Sequence, residues 1–314
     1  MRSLLLLLLV VVASCSDELP PLEILDDHAV AMAVAGNELY WAAERDGLVE
    51  LNRRSPEGTR RVWRSVVAER GQVFVVAGPD GAVLVERPLL RPSCARFHWI
   101  DRDGTSEDLT AAALCDAYPI AQLDGGLLFM LDNRPAIFQF DLRSGAVTTW
   151  FDIPDMSLLF PTARESYAAR EGVDSFDLVR IEQSGEVRTL ATIERADRFA
   201  LSPDAIYWTR PGWDSRPTTV TRVPRDGSGP AVDVLAIGAL TENGQPPFLE
   251  HMAWVDELWV TDGAALYRVD DGELVLVGST KRRPWGFAAY DGALVMLTED
   301  GVDGLMRVQL QRLP

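Results

Sequence analysis

Apolar residues along most of the chain fall in short runs rich in Val, Ile, Leu, Tyr, Phe and Trp, punctuated by Gly, Asp, Pro and Ser. That pattern predicts strands joined by tight turns. No stretch sustains a 3.6-residue apolar period between caps, so helices are not expected. One element recurs: Leu39-Tyr40-Trp41, Val83-Leu84-Val85, Leu127-Leu128-Phe129, Ser166-Tyr167-Ala168, Ile206-Tyr207-Trp208, Leu258-Trp259-Val260 and Leu294-Val295-Met296. Successive copies lie 44, 44, 39, 40, 52 and 36 residues apart. Propeller blades of four strands repeat at roughly 40–50 residues. A helical solenoid of that period needs helical patterning, which this chain lacks.

The sixth unit divides into strands at 249–255, 257–261, 265–269 and 273–278, separated by Asp256, Asp262-Gly263 and Asp271-Gly272. Asp-Gly between alternating apolar segments is a strong hairpin signal. The seventh unit has room for only three strands, near 287–290, 293–298 and 305–309. Leu22-Glu23-Ile24-Leu25 has the pattern of the outer-strand segments 232–235 and 274–277. Residues 21–26 are therefore expected to pair with the last blade, because an open ring leaves an unpaired sheet edge. The expected fold is all-β: a seven-bladed β-propeller of four-stranded antiparallel blades over residues 21–314. The weighed alternatives are six or eight blades, or two β-sandwiches. Ile206-Tyr207-Trp208-Thr209 and Leu39-Tyr40-Trp41, with the recurring Asp-Gly pairs, resemble YWTD-type and NHL-type repeat propellers. Neither segment carries the aspartate of a full YWTD repeat, and YWTD propellers have six units. The resemblance implies the fold over the repeat region and transfers no function.

The first residues set a compartment. Met1-Arg2-Ser3 precedes an unbroken apolar run over residues 4–12. That run is too short to span a bilayer, which takes roughly 20 residues, and it fits a secretory signal core. Val12-Ala13-Ser14-Cys15-Ser16 resembles the lipobox of bacterial lipoproteins. The resemblance implies removal of residues 1–14, lipidation of Cys15 and a short linker over 15–20. Serine after the cysteine implies the outer membrane. The alternative is an ordinary signal peptide followed by a chance cysteine. The expected membrane partner is thus reached through the N-terminal lipid.

Charge narrows the partners further. Lys plus Arg number 30 against 47 for Asp plus Glu, a formal net charge of −17. Phosphate neutralisation needs a basic surface, so nucleic acid is excluded, as is polybasic docking on anionic lipid.

Antiparallel order puts the first-to-second and third-to-fourth connections of every blade on one face. These are short turns. The second-to-third and blade-to-blade connections share the other face and carry the long segments 86–95, 112–118, 154–161, 210–217, 238–247 and 279–285. Long loops are retained for binding or catalysis, so this long-loop face is the candidate functional surface. Arg87, Arg91, Arg134, Arg170, Arg198, Arg210, Arg216, Arg282 and Arg283 fall in or beside it, with Trp213 and Trp285. Arginine forks suit carboxylate or phosphate, and exposed Trp suits a ring, a sugar or a partner protein. The competing reading pairs these arginines with the abundant acids and packs both Trp residues under the loops. Glu250-His251 opens an inner strand, as an acid–base pair at the channel or as a structural histidine. Cys94 and Cys115 both fall on the long-loop face, where an oxidising envelope favours a disulfide over two free thiols.

Catalytic motifs are thin. There is no Gly-x-Ser-x-Gly, no His-Glu-x-x-His and no phosphate-binding Gly-rich loop. His28, His98 and His251 stand in different units without a second ligand at metal spacing. Asp101-Arg102-Asp103-Gly104 resembles the start of a calcium loop but falls where a hairpin turn is needed. Asp300-Gly301-Val302-Asp303-Gly304 is similar. No catalytic residue, metal ligand or cofactor is assigned, with Ca²⁺ the one weak alternative. The expected function is a non-catalytic envelope lipoprotein that binds a protein or small ligand on its long-loop face. The alternatives are a propeller enzyme of metal-dependent lactonase or lyase type and a structural subunit of an envelope assembly.

Overall fold

The computed structural model describes residues 22–66, 71–88, 94–109, 114–123, 125–131, 134–151, 156–161, 165–172, 175–182, 185–194, 196–212, 217–237, 248–279, 284–299 and 306–313. They form seven antiparallel sheets of four strands each, with no α-helix among the described residues. In six blades the strands run inner to outer in chain order. Blade 1, for example, is Ala29–Ala35, Glu38–Arg45, Leu48–Ser55 and Gly58–Val66. The inner strands of blades 2 to 7 are Gly71–Gly78, Ala117–Leu123, Met156–Pro161, Phe199–Leu201, His251–Val255 and Pro284–Tyr290.

The second strands are buried along nearly their whole length, as in Glu38–Arg45 and Ala293–Glu299, because each is covered on both faces by neighbouring blades. The core accordingly lies in the gaps between blades. Leu39 and Trp41 of blade 1 pack with Tyr290, Val295 and Leu310 of blade 7. Val83 and Phe97 of blade 2 pack with Leu127 and Phe129 of blade 3. This explains why the recurring triplets are continuous apolar runs rather than alternating ones. Asp46-Gly47, Asp271-Gly272 and Asp291-Gly292 form two-residue hairpins with positive φ at both positions. That backbone matches the strand twist and suits Asp-Gly.

Ring closure is non-covalent. Glu23–Asp26 is the outer strand of blade 7 and lies antiparallel to Met306–Arg312, with Glu23 opposite Leu310, Ile24 opposite Gln309 and Asp26 opposite Val308. The closing strand is thus shorter than the expected 21–26 and carries a register shift between Ile24 and Asp26.

Several expected loop segments are strand instead. Met156–Pro161 is the inner strand of blade 4, although 154–161 reads as a loop. Ala117, Tyr118, Pro284 and Trp285 likewise belong to inner strands, and Glu86 and Arg87 to Gly81–Pro88. Prolines at 88, 161 and 284 read as breakers in sequence. Here each sits at a strand terminus, where its missing N–H interrupts little of the ladder.

Candidate functional site

Every inner strand begins at the mouth of the long-loop face, so its first residues line that rim. The described rim is built by contacts that step from blade to blade. Arg198, just before the inner strand of blade 5, donates from Nε to the backbone carbonyl of Glu250 and from its terminal nitrogen to Asp197 Oδ1 at 3.1 Å. Glu250 precedes the inner strand of blade 6, and its N–H donates to the Thr261 carbonyl at 2.7 Å. A Cβ on Gly263 would meet Glu250 Oε2 at 2.5 Å, so a glycine is what lets that carboxylate lie over the 262–264 turn. His251 Nε2 lies 2.7 Å from the Pro284 carbonyl, which opens the inner strand of blade 7. The structure therefore brings Arg198, Glu250 and His251 together across the blade 5–6–7 rim.

The other candidates do not join them. Arg210 faces Asp233 at 3.7 Å within blade 5. Trp213, Arg216, Arg282 and Arg283 lie outside the described residues, as do Arg91 and Cys15, and Trp285 is placed by its backbone alone. Arg170 forms an ion pair with Asp177 Oδ2 at 2.7 Å. Its bond, ahead of one from Thr192, holds the Asp177 carboxyl below its ordinary range. Arg87 stacks 3.7 Å above the Tyr118 ring centroid, joining blade 2 to blade 3. So Arg87, Arg170, Arg198 and Arg210 are held by partners of the same or the adjacent blade, while Arg134 is placed by its backbone alone.

The Cys94 and Cys115 sulfurs are bonded, with the Cα atoms 4.2 Å apart. The Ala95 N–H donates to the Cys115 carbonyl at 3.2 Å beside them. The bridge ties the loop of blade 2 to the connection into blade 3, on the long-loop face.

The strands of the channel wall are mostly apolar, with Gln72, Gln122 and Ser157 among their residues. The seven inner strands contain no Asp, Glu, Lys or Arg, and His251 is their one histidine. Among the described residues one group has metal-ligand proximity: Asp26, Asp27 and His28, with ligand atoms within 4.8 Å of one another. Both Asp26 oxygens are already used, and Asp27 Oδ1 lies 2.6 Å from His28 Nδ1. Asp26 Oδ1 accepts from Arg45 at 2.6 Å and from the His28 N–H at 2.9 Å, and Oδ2 accepts from the Trp41 indole at 2.8 Å. Arg45 supplies the positive charge a cation would bring, so the group does not fit a metal site. His98 is also structural. It lies 3.2 Å from Glu86 and 2.9 Å from Asp108, and its ring is 4.7 Å from that of Trp63 in blade 1.

Sequence reasoning missed a set of clamps on the short-turn face. Glu38 accepts from Tyr40 at 2.6 Å and from Arg53, and Arg102 of blade 2 lies 3.4 Å away. Burial, then the Glu38 carboxylate beside it, pushes the Tyr40 phenol well above its ordinary range. Glu165 repeats the arrangement, accepting from Tyr167 and from Arg225 of blade 5, each at 2.5 Å, with Arg180 at 2.8 Å. Burial works against the charge on Glu165, but the Tyr167 and Arg225 hydrogen bonds outweigh it and hold the carboxyl below its usual range. A Glu-x-Tyr at the head of the second strand, Glu38-Leu39-Tyr40 and Glu165-Ser166-Tyr167, was the available signal. A cavity of about 540 Å³ opens beside the second clamp, lined by Pro203, Asp204, Arg222, Arg225, Asp226 and Pro230.

No family model matches the chain, and no curated protein matches it in sequence. Solved structures do. Streptogramin B lyase is similar over 94% of this chain and 98% of its own, at TM-score 0.57 and 13% identity. Oligogalacturonate lyase in complex with manganese matches over 89% of this chain and 86% of its own, at TM-score 0.60 and 12% identity. YCF48 from Cyanidioschyzon merolae matches over 93% and 98%, at TM-score 0.60 and 12% identity. At such identities the likeness is one of fold, and enzymes and non-enzymes share it. The chain is a seven-bladed β-propeller similar to these proteins in architecture.

Proposed function

We propose that the chain is a non-catalytic, lipid-anchored envelope propeller that holds a protein or small ligand at its long-loop face. The observation that carries this reading is the channel wall. Propeller chemistry of lyase or lactonase type draws on carboxylates or imidazoles converging on the channel, to hold a metal or move a proton. The inner strands here offer His251 alone. Arg198, Glu250 and His251 form a polar rim above that wall; Arg210 and Trp285 stand at strand ends that open on this face, and Trp213, Arg216, Arg282 and Arg283 follow or precede them in sequence and complete the proposed set. A ligand with an anionic group and a flat apolar part suits this set. The lipobox at Cys15 supports tethering to the outer membrane, and the Cys94–Cys115 disulfide supports an oxidising compartment.

Three measurements test the reading together. Full-length chain in a bacterial host with two membranes should carry labelled palmitate and sediment with outer membrane, whereas C15A should do neither. A photo-crosslinker at position 285 should give a discrete product in the envelope that one at Asn37, on the short-turn face, does not. Equal products from both positions overturn the long-loop face. Stoichiometric, tightly bound divalent metal in the purified protein overturns the non-catalytic reading in favour of a metal-dependent enzyme.

A further inference from the structure

The closing strand has a direction, and that direction orients the molecule. Met306–Arg312 follows a second-to-third connection, so it starts at the long-loop face and ends at the short-turn face. Glu23–Asp26 runs antiparallel to it. The chain therefore enters the ring at the short-turn face and leaves it at the long-loop face. Side chains mark both ends. The Glu23 carboxylate accepts from Arg54 at 2.7 and 3.2 Å, and Arg54 stands beside the short turn between the third and fourth strands of blade 1. Asp26 meets Trp41 and Arg45 toward the opposite rim, and the next strand, Ala29–Ala35, starts there.

We infer that the lipid tether leaves the propeller at the short-turn face, beside the blade 7–blade 1 seam, so that this face lies nearest the membrane and the long-loop face points away from it. The inference rests on the lipid-anchor reading above. Only eight residue steps separate Cys15 from Glu23. Full extension allows about 3.3–3.6 Å per step, or roughly 28 Å. Turning the long-loop face to the membrane would require the tether to run back along the strands. A seven-residue strand alone takes up about 23 Å of that, before any loop is cleared. A globule of 300 residues has a radius of gyration near 19 Å, so the tether is also shorter than the molecule is wide. The short turns and Arg–Glu clamps thus form the membrane-side floor. The rim of Arg198, Glu250 and His251 is displayed to the aqueous compartment, where a soluble ligand or a second protein can reach it.

The two ends of one strand give the test. Asn37 and Glu44 are both exposed; Asn37 immediately precedes the second strand of blade 1 at the short-turn end, and Glu44 is its penultimate residue at the long-loop end. Each is replaced separately, as Asn37→p-azidophenylalanine or Glu44→p-azidophenylalanine, and coupled to a fluorophore. The mature chain is attached to phosphatidylcholine vesicles through Cys15 with a maleimide lipid, the other two cysteines being engaged with each other. Nitroxide-headgroup lipid, which quenches at close range, is then added. Quenching several-fold stronger at position 37 than at 44 is the expected result. Equal quenching, or stronger quenching at 44, overturns the orientation whatever the natural anchor is. The same pair of labels on chain purified with its native N-terminus reports on the anchor separately. If that chain fails to bind vesicles while the coupled chain shows the asymmetry, the lipid-anchor reading fails and the tether geometry stands.

Discussion

Replacing Asp26 with alanine is expected to loosen the ring at its seam. The Asp26 side chain is 4% exposed and accepts three hydrogen bonds, from Arg45, Trp41 and the His28 backbone. Alanine leaves the indole N–H of Trp41, itself 1% exposed, without that acceptor. Stranding a buried donor costs about 1–3 kcal/mol. Removing one partner of a buried ion pair costs about 3–5 kcal/mol, but Arg45 is 38% exposed and keeps Glu50 at 3.2 Å. Water and Glu50 recover much of the second cost, so the total is about 3–4 kcal/mol. Unfolding entropy for a domain of this length is about 0.6 kcal/mol per kelvin, which converts that loss to a fall in Tm of about 5–7 °C. Scanning calorimetry and urea unfolding followed by Trp fluorescence measure it. E23A is the internal control. Glu23 lies in the same strand and also pairs with an arginine, but it is 46% exposed, so its loss should stay below about 1 kcal/mol. D26N should fall between the two, since an amide keeps one acceptor and loses the charge. Equal losses in D26A and E23A, or a D26A loss under about 1 kcal/mol, would falsify the assignment of the seam to Asp26.

Two further outcomes follow from single contacts. The pair C94S/C115S closes no loop, and with the bridged positions 21 residues apart the chain-entropy loss is about 3 kcal/mol; unfolded, unreduced wild type should show no reactive thiol beyond Cys15, and two more would refute the bridge. Glu165 has its folded pKa lowered by Tyr167 and Arg225 against the opposing effect of burial, so its stabilisation is fully present above the unfolded value near 4.3 and is lost as pH falls through the folded one. The stability gap between wild type and E165Q should therefore be flat from about pH 7 to 5 and shrink below that, and a gap that widens in acid refutes the clamp.

The repeat was legible because of where the second strands sit. Covered on both faces, they are apolar along most of their length, so Leu39-Tyr40-Trp41 and its six counterparts stand out against the turns. The closing strand was legible for a similar reason, as an outer-strand pattern displaced to the other end of the chain. Asp26 was not. In Asp26-Asp27-His28 it looks like one more turn aspartate, and its partners lie 15 and 19 positions away in a different blade. Arg225 is likewise 60 positions from Glu165. The candidate site was legible only in part. That arginines gather on the long-loop face follows from strand order, but whether each is available depends on partners such as Asp177 and the Glu250 carbonyl, which no composition argument supplies.

The closing strand belongs to two blades at once. Its backbone pairs with Met306–Arg312 of blade 7, over only four residues and with a register shift. Both of its charged side chains bond to blade 1 instead: Glu23 to Arg54 at one rim, Asp26 to Arg45 and Trp41 toward the other. A strand this short has little hold from its ladder alone. Bridging the seam at both rims lets it couple the last blade to the first without a covalent link. Under the tether proposed above, a pull along the axis of this same strand would start from its Glu23 end. Such a load shears every backbone hydrogen bond together instead of peeling them in turn, and the buried Asp26 anchor is the point farthest from the pull.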